Sequence, residues 1–231
     1  MDKPAALPRI RKSQTLEEMA YQQIKQAVIN GVFAPGSFLA EVHLAEELGI
    51  SKTPVRKALG RLHQEQFLTN VPFAGYHVAE ISMTDILEVY QLREILECFV
   101  VERTVGTFNE DELDAMTDAL RKAGAALDRV DHVAFVEFNR QFHHTFDRKY
   151  NSQRISTLLD NLDEHVQRIL VYLLPGEKLE LQTSHNEHYG ILQAVIAGDA
   201  DSAVDQMRGH LGRFRDVLIA RQQRQAQLEK V

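Results

Sequence analysis

The chain has 231 residues, of which 44% are apolar and 26% charged, enough for one large domain or two small ones with a hydrophobic core. Lys and Arg number 26 against 33 Asp and Glu, and this net charge of -7 excludes a protein that coats nucleic acid through overall positive charge. A single cysteine, Cys98, excludes an intrachain disulfide framework, and no segment approaches the roughly 20 apolar residues of a membrane span. We therefore expect a soluble cytoplasmic protein with no signal peptide and no membrane partner.

The charge is distributed unevenly along the chain. Residues 1–80 contain nine Lys and Arg and eight Asp and Glu, whereas the remainder contains 17 and 25. Within the first part, the segment SKTPVRKALGR at residues 51–61 has four basic residues and no acidic one. Such a local concentration favours contact with a phosphate backbone, although short basic helix faces are common in other proteins.

Three helical patterns follow one another in the first eighty residues. Residues 16–30 repeat apolar side chains at helical spacing, and residues 41–48 form a second, short amphipathic segment that Gly49 ends. Between them, the sequence FAPGS indicates a turn. Ser51 is a suitable N-cap for a third helix over residues 52–66.

The order of these elements is that of a helix-turn-helix motif, whose second helix enters the major groove of DNA. In the third predicted helix, Lys52 and Arg56 share one exposed face. The stretch FLTNVPFAGYHVAEI then indicates two short strands around a turn, where Gly75 allows close approach of the backbone to a phosphate. We predict a winged helix, and the alternative is a generic helical subdomain with a solvated basic face.

The run PGSFLAEVHLAEELGISKTPVRKALGRLHQEQFLTNVPFAGYHV resembles the winged-helix head of the GntR family of bacterial transcription regulators. The resemblance implies a set of residues that face DNA in the major groove or the wing: Ser51, Lys52, Thr53, Arg56 and Gly75. At position 52 the family usually has arginine, and this chain has lysine. Lysine retains the charge for a phosphate but lacks the planar fork that contacts guanine O6 and N7 together, so we expect weaker base discrimination there.

From Ser82 onward the sequence has helical periodicity and little of the alternation that is typical of strands. Six helices are predicted, near residues 84–106, 110–128, 131–149, 152–173, 177–197 and 200–227. The breaks between them are marked by turn and capping residues: Asn109, Val130-Asp131, Asn151, Pro175-Gly176 and Gly198-Asp199. We predict a mainly α fold, in which a winged head over residues 1–80, ordered from about residue 14, precedes an antiparallel all-α bundle of six or seven helices over residues 81–231.

Ten histidines raise the question of a metal site. Asn139 and His143 are four residues apart, so both project from one helix face. His188 and His210 lie on the fifth and sixth helices of the predicted bundle, and a tight turn between these helices could bring both residues to similar depth. Three imidazoles and one oxygen that point inward would suit zinc or nickel. From spacing alone, histidines scattered over the core and the surface remain an alternative.

The stretches NRQFHHTF, HNEHYGIL and GDADSAVDQMRGHL resemble the FCD ligand-binding domain of the FadR subfamily of GntR regulators, over roughly residues 84–220. The resemblance implies four ligands for a divalent metal: Asn139, His143, His188 and His210. Asn139 stands where aspartate is commoner, and its carbonyl oxygen brings no negative charge, so we expect the metal to be held less tightly. His144 and His185 are expected to be either outer donors to this site or bystanders.

Arg93 matches an arginine that faces the cavity in similar proteins, where a guanidinium would bind an effector carboxylate through two hydrogen bonds. The alternative is a surface arginine that pairs with Glu97, four residues on. Cys98 is expected to be a small buried apolar residue.

The resemblance implies a homodimeric transcription regulator, a repressor, that binds operator DNA and is controlled by a small carboxylate at the metal. The alternative from another class is a metal-dependent hydrolase with an appended winged helix, because three histidines with an open position suit both. A hydrolase also needs a placed general base. Glu187 directly precedes His188 and would point away from that ligand on a helix, and the zinc-protease spacing H-E-x-x-H is absent.

Overall fold

A computed structural model describes residues 15–129, 131–173 and 178–228. These residues fall into two compact units, one up to Ala79 and the other from Glu80 onward, with Ile29–Gly31 grouped with the second. The predicted order boundary near residue 14 and the predicted breaks at Val130 and Pro175-Gly176 lie outside the described residues. No helix in the described part of the chain is long and apolar enough to cross a membrane.

The first unit contains three helices and three short strands: α1 Leu16–Ile29, β1 Phe38–Leu39, α2 Glu41–Glu47, α3 Lys52–Gln64, β2 Leu68–Val71 and β3 Gly75–Val78. Gly49 has a φ of 65°, in the left-handed region that glycine adopts most easily, and α2 ends just before it. Ser51 occupies the N-cap position of α3, but its side chain makes no capping hydrogen bond. The three helices and the hairpin therefore lie where the sequence predicts them, and α3 ends two residues early.

The three strands form an antiparallel sheet in the order β1-β3-β2. In the wing, Thr69 pairs with His77, and Gly75, with a φ of 82°, opens β3. The sequence did not predict β1, which begins directly after the Pro-Gly turn. It forms because the backbone N–H of Gly36 donates to the carbonyl of Val78 and the N–H of Val78 donates to Ser37, each at 2.9 Å.

The described part of the second unit contains six helices: α4 Met83–Thr104, α5 Glu110–Asp128, α6 His132–Tyr150, α7 Gln153–Leu173, α8 Lys178–Ile196 and α9 Ala200–Leu228. Capping boxes begin two of them, with Ser82 and Asp85 at α4 and Asn109 and Glu112 at α5. Asn151 ends α6 in a left-handed conformation with a φ of 57°. The prediction of a mainly α bundle is confirmed, and each helix lies within two residues of its predicted bounds.

The core of the second unit lies where α4 and α8 pack against α9 and where α6 and α7 close the bundle. Aromatic and aliphatic side chains fill it, among them Phe142, Phe146 and Ile169. Cys98 is part of this core, and burial raises the pKa of its thiol to about 11, so the thiol stays protonated. The core brings the inward faces of α4, α6, α8 and α9 together, and the predicted metal ligands lie on three of them.

Candidate metal centre and DNA-binding face

The three histidines that the sequence predicts as metal ligands lie together inside the second unit. His143 comes from α6, His188 from α8 and His210 from α9, and all three are buried. The Nε2 atom of His188 lies 2.9 Å from Nε2 of His143 and 3.0 Å from Nε2 of His210. Nitrogen atoms that converge from three helices at this separation can contact one ion.

Two carboxylates hold the outer nitrogens of this cluster. His143 Nδ1 donates to Glu97 at 2.6 Å, and His210 Nδ1 donates to Glu187 at 2.8 Å. Because Nδ1 carries the proton in each ring, Nε2 presents its lone pair toward the other histidines. His188 has a buried Nδ1 with no hydrogen-bond partner among the described residues. A proton on His188 Nε2 could be donated to only one of the other two rings at a time, whereas a bound cation would accept a lone pair from all three.

Burial keeps the imidazoles of His188 and His210 neutral at pH 7. It lowers the pKa of His188 well below its usual value and, with the neighbouring His143, lowers the pKa of His210 to about 4, although Glu187 opposes the second shift. Neutral imidazole is the form that binds a metal, so His188 and His210 can bind one at pH 7 without first losing a proton.

Asn139 lies one turn before His143 on α6 and lines the same cavity as His143, His210 and Arg93. Its Oδ1 atom is buried without a hydrogen-bond partner among the described residues. Buried polar atoms are nearly always hydrogen-bonded, so such an atom beside neutral imidazoles indicates a missing ligand contact. Three nitrogens and one carbonyl oxygen fit a borderline divalent metal.

Arg93 is buried and lines the cavity, so the alternative of a surface arginine does not hold, although the pairing with Glu97 that belonged to this alternative is present. Arg93 Nε donates to Glu97 Oε1 at 2.6 Å, and Nη2 lies 4.0 Å from Asp163. Burial alone would raise the pKa of Glu97, but Arg93 and His143 lower it, and the carboxylate is ionised. Glu97 thus joins a cavity-lining cation on α4 to a metal-ligand candidate on α6. Glu97 was not among the residues predicted for the site, although it lies four residues after Arg93 on the same helix.

His144 and His185 are not part of the cluster. His144 donates to Asp147 and Asp163 at 2.8 and 2.7 Å, and these carboxylates raise its pKa to about 9 although burial acts in the opposite direction. His185 packs against the ring of Phe135, with ring centroids 6.2 Å apart. Of the two possibilities for these residues, the bystander role fits the geometry.

Glu187 is not available as a general base. Its Oε2 atom accepts hydrogen bonds from His210 and from Arg213, and its Oε1 accepts another from Arg213. A base that activates water needs an oxygen directed at that water. Glu187, the candidate general base of a hydrolase, therefore orients His210 instead.

In the first unit, four of the residues predicted to face DNA lie exposed at the start of α3: Ser51, Lys52, Thr53 and Arg56. The guanidinium of Arg56 forms a two-pronged ion pair with Glu41 of α2, with Nε 3.0 Å and Nη2 2.9 Å from Oε2. Lys52 forms no ion pair with any residue that the structure describes. The exposed start of α3 thus has one cation that is paired with a carboxylate, Arg56, and one that is not paired with any described residue, Lys52.

The remaining basic residues of α3 turn toward α1. Lys57 lies 3.2 Å from Glu17, and Arg61 lies 2.8 Å from Glu18 and stacks over the ring of Tyr21. Of the four basic residues of this segment, only Lys52 and Arg56 therefore lie on the face predicted to contact DNA.

Gly75 lies in the wing beside Phe38, where a Cβ atom would approach the phenyl ring to 3.0 Å. Its positive φ favours glycine, whereas the exposed ring of Phe38 could shift to admit a Cβ atom. The neighbouring tip residue Phe73 is fully exposed and has a φ of 64°. The structure thus places the predicted wing contact on an exposed, tightly turned hairpin.

Two family models match the chain. Residues 16–78 match the bacterial regulatory proteins of the gntR family, and residues 88–213 match the FCD domain. The uncharacterized HTH-type transcriptional regulator YdhC of Bacillus subtilis (strain 168) is 26% identical over 193 residues, which cover 82% of this chain and 85% of that protein. The HTH-type transcriptional repressor RspR of Escherichia coli (strain K12) is 24% identical over 207 residues, which cover 88% and 89%.

A solved structure has the same fold. E. coli McbR/YncC superposes with a TM-score of 0.74 at 24% sequence identity, over 89% of this chain and 98% of that one. At this identity the likeness shows a shared architecture of a winged helix followed by a helical bundle.

Proposed function

Because this chain belongs to the GntR family of bacterial regulatory proteins, in the branch with an FCD domain, we propose that a small carboxylic acid bound at a divalent metal controls its binding to operator DNA. The protein is a DNA-binding transcription regulator, as its curated relatives are. The alternative of a metal-dependent hydrolase is set aside, since those relatives are regulators and Glu187 is engaged by His210 and Arg213.

The observation that carries the proposal is the convergence of three buried imidazoles beside an unpaired amide oxygen. Four side chains would hold the metal, zinc or nickel by donor type: Asn139, His143, His188 and His210. A bound divalent ion supplies a positive centre that attracts a carboxylate. Glu97 and Glu187 orient two of the rings, and such outer partners strengthen metal binding.

Arg93 would position the acid. Its Nε is engaged by Glu97, but the guanidinium lines the cavity and has further N–H groups for a carboxylate oxygen. Because Glu97 also holds His143, an acid that contacts Arg93 acts on α4 and α6 together. The acid can change DNA affinity only by as much as its own affinity differs between two arrangements of the bundle. We propose that acid binding relieves repression, the direction suited to a repressor such as RspR.

The first unit would bind the operator. We propose that residues 1–80 form the DNA-binding domain and residues 81–231 the sensing domain. Ser51, Lys52, Thr53 and Arg56 would lie in the major groove, and Gly75 would approach the minor groove. Two copies of the chain would then contact two half-sites related by two-fold symmetry.

Elemental analysis of the purified full-length protein tests the metal. We expect close to one divalent ion per chain, and a clear loss of it in His188→Ala. His43→Ala is the matched control, because His43 lies exposed on α2 in the other unit. Equal metal content in wild type and His188→Ala would remove His188 from the ligand set, and a wild type without metal after loading would contradict the centre itself.

A further inference from the structure

Tyr90 lies one turn before Arg93 on α4 and is almost fully buried, with 2% of its surface exposed. Its ring lies near Phe214 of α9, with centroids 6.5 Å apart. Tyr90 lines the same cavity as Arg93 and Asn139, and its hydroxyl lies beside the Arg93 guanidinium but donates to no acceptor among the described residues. Because a guanidinium cannot accept a hydrogen bond, the buried hydroxyl proton lacks an acceptor, which is rare and indicates a ligand atom that accepts it.

The other lining residues define what kind of ligand this is. Arg93 is the one Lys or Arg that lines the cavity in the described part of the chain. Much of the remaining wall is apolar: Phe135, Val136, Val166, Leu170, Leu181 and Phe214. One carboxylate would be matched by Arg93 and the metal, whereas a second would have no cation and mostly hydrocarbon around it, with the hydroxyl of Ser184 as the remaining polar group, and would lose most of its hydration without replacement.

The cavity is small. Its volume is about 30 Å³, and a cavity needs roughly 10–15 Å³ to hold one water molecule. It therefore has room for about two or three water-sized groups, which favours the smallest carboxylic acids. A longer acid would require the apolar wall to move.

We propose that Tyr90 determines effector specificity, by donating a hydrogen bond from its hydroxyl to the carboxylate of a short, singly charged acid. The acid places its carboxylate between Tyr90 and Arg93 and its hydrocarbon end on the apolar wall. Tyr90 selects monocarboxylates because its hydroxyl and Arg93 serve one carboxylate, with no further cation for a second. This inference rests on the proposed function, since the acid enters the same cavity.

Calorimetry on the zinc-loaded full-length protein tests the inference, with propionate and succinate as probes. Wild type is expected to bind propionate at least about tenfold more tightly than succinate, and Tyr90→Phe to weaken propionate binding about tenfold. The matched control is Tyr150→Phe, because Tyr150 contacts Phe99 outside the cavity. All three proteins are compared at equal zinc content.

Thermal unfolding without acid separates binding from folding. Tyr90→Phe is expected to unfold near the wild-type temperature, because the hydroxyl proton has no acceptor to lose and Arg93 keeps Glu97 as its partner. A clearly lower unfolding temperature would overturn the inference, since the hydroxyl would then serve the fold.

The binding outcomes separate this inference from the proposed function. If propionate binds wild type and Tyr90→Phe equally, or if succinate binds as tightly as propionate, the role of Tyr90 is overturned while acid sensing remains. If neither acid binds the zinc-loaded wild type, the proposed effector class and the role of Tyr90 are both overturned.

Discussion

At the scale of single residues, the contact that a side chain makes in the folded protein determines what its charge can do. Arg56 and Lys52 share an exposed face of α3, but Arg56 is paired with Glu41 and Lys52 is not paired with any described residue. Glu41 fixes the guanidinium through Nε and Nη2, and it places a negative charge beside the proposed DNA-binding face. The arginine is therefore positioned in advance, and DNA would have to share or replace its partner.

Removing Arg56 should weaken operator binding. We expect Arg56→Ala to lower affinity about tenfold or more and to reduce the salt dependence of binding, because one cationic contact to DNA is lost. Fluorescence anisotropy in a salt titration measures both. Arg121→Ala is the matched control, since Arg121 is similarly exposed but lies on α5 of the helical unit. Unchanged affinity and unchanged salt slope for Arg56→Ala would contradict the groove assignment.

Glu97 gives a second prediction at this scale. Replacing it with glutamine keeps its shape but removes the charge that accepts from His143 and Arg93. Such outer partners typically change metal affinity by about 10- to 100-fold, and we expect a loss in that range for Glu97→Gln. Competition with a zinc chelator measures it. Glu102→Gln serves as the control, because Glu102 is exposed on the same helix, and an equal zinc affinity in both variants would show that Glu97 does not support the site.

At the scale of elements, local signals decided what the sequence could predict. The helices were predicted closely because their caps and their periodicity are properties of neighbouring residues, as at Ser82 and Asn109. Strand β1 was missed because two residues become a strand only by pairing with β3, about 38 residues further along the chain. Its formation depends on a contact that no local pattern contains.

The candidate metal site could also be predicted only in part, because some of its residues are joined by contacts between distant elements. Spacing placed Asn139 and His143 on one face of α6, and the tight turn between the last two helices allowed His188 and His210 to join them. Scattered histidines remained an alternative until the family resemblance implied the full set. Glu97 was not assigned to the site, and neither was Tyr90. Their roles depend on how α4 packs against α6 and α9, which the sequence of α4 alone does not specify.

Two serines that cap helices allow the local signal to be tested. The Ser82 side chain accepts from the backbone N–H of Asp85 at 3.1 Å, whereas Ser51 caps α3 without such a bond. We expect Ser82→Ala to lower the free energy of unfolding by about 1 kcal/mol and Ser51→Ala to lower it much less. Urea denaturation measures both variants. Equal losses would mean that the capping hydrogen bond of Ser82 contributes little.

At the scale of the whole molecule, a regulator that contacts two half-sites needs a surface on which two copies meet. The outward face of α4 has three apolar side chains at helical spacing, Leu92, Ile95 and Phe99, and Ile95 is 66% exposed. Exposed apolar side chains grouped on one face mark interaction sites more often than single ones do. The same helix carries Tyr90 and Arg93 on its buried face, so a dimer formed here would join the two effector cavities through one element.

A negative charge on the outward face of α4 should prevent two copies of the chain from associating. We expect Ile95→Glu to convert a dimer into a monomer by light scattering, because the carboxylate would be buried without a partner in the interface. The variant should also lose operator affinity, since one chain alone contacts one half-site. Leu179→Glu is the matched control, because Leu179 is 75% exposed on α8 and away from α4 in sequence. A dimeric Ile95→Glu would place the interface elsewhere on the molecule. If Ile95→Glu is monomeric but still binds a full operator as tightly as wild type, the two winged-helix units bind their half-sites independently.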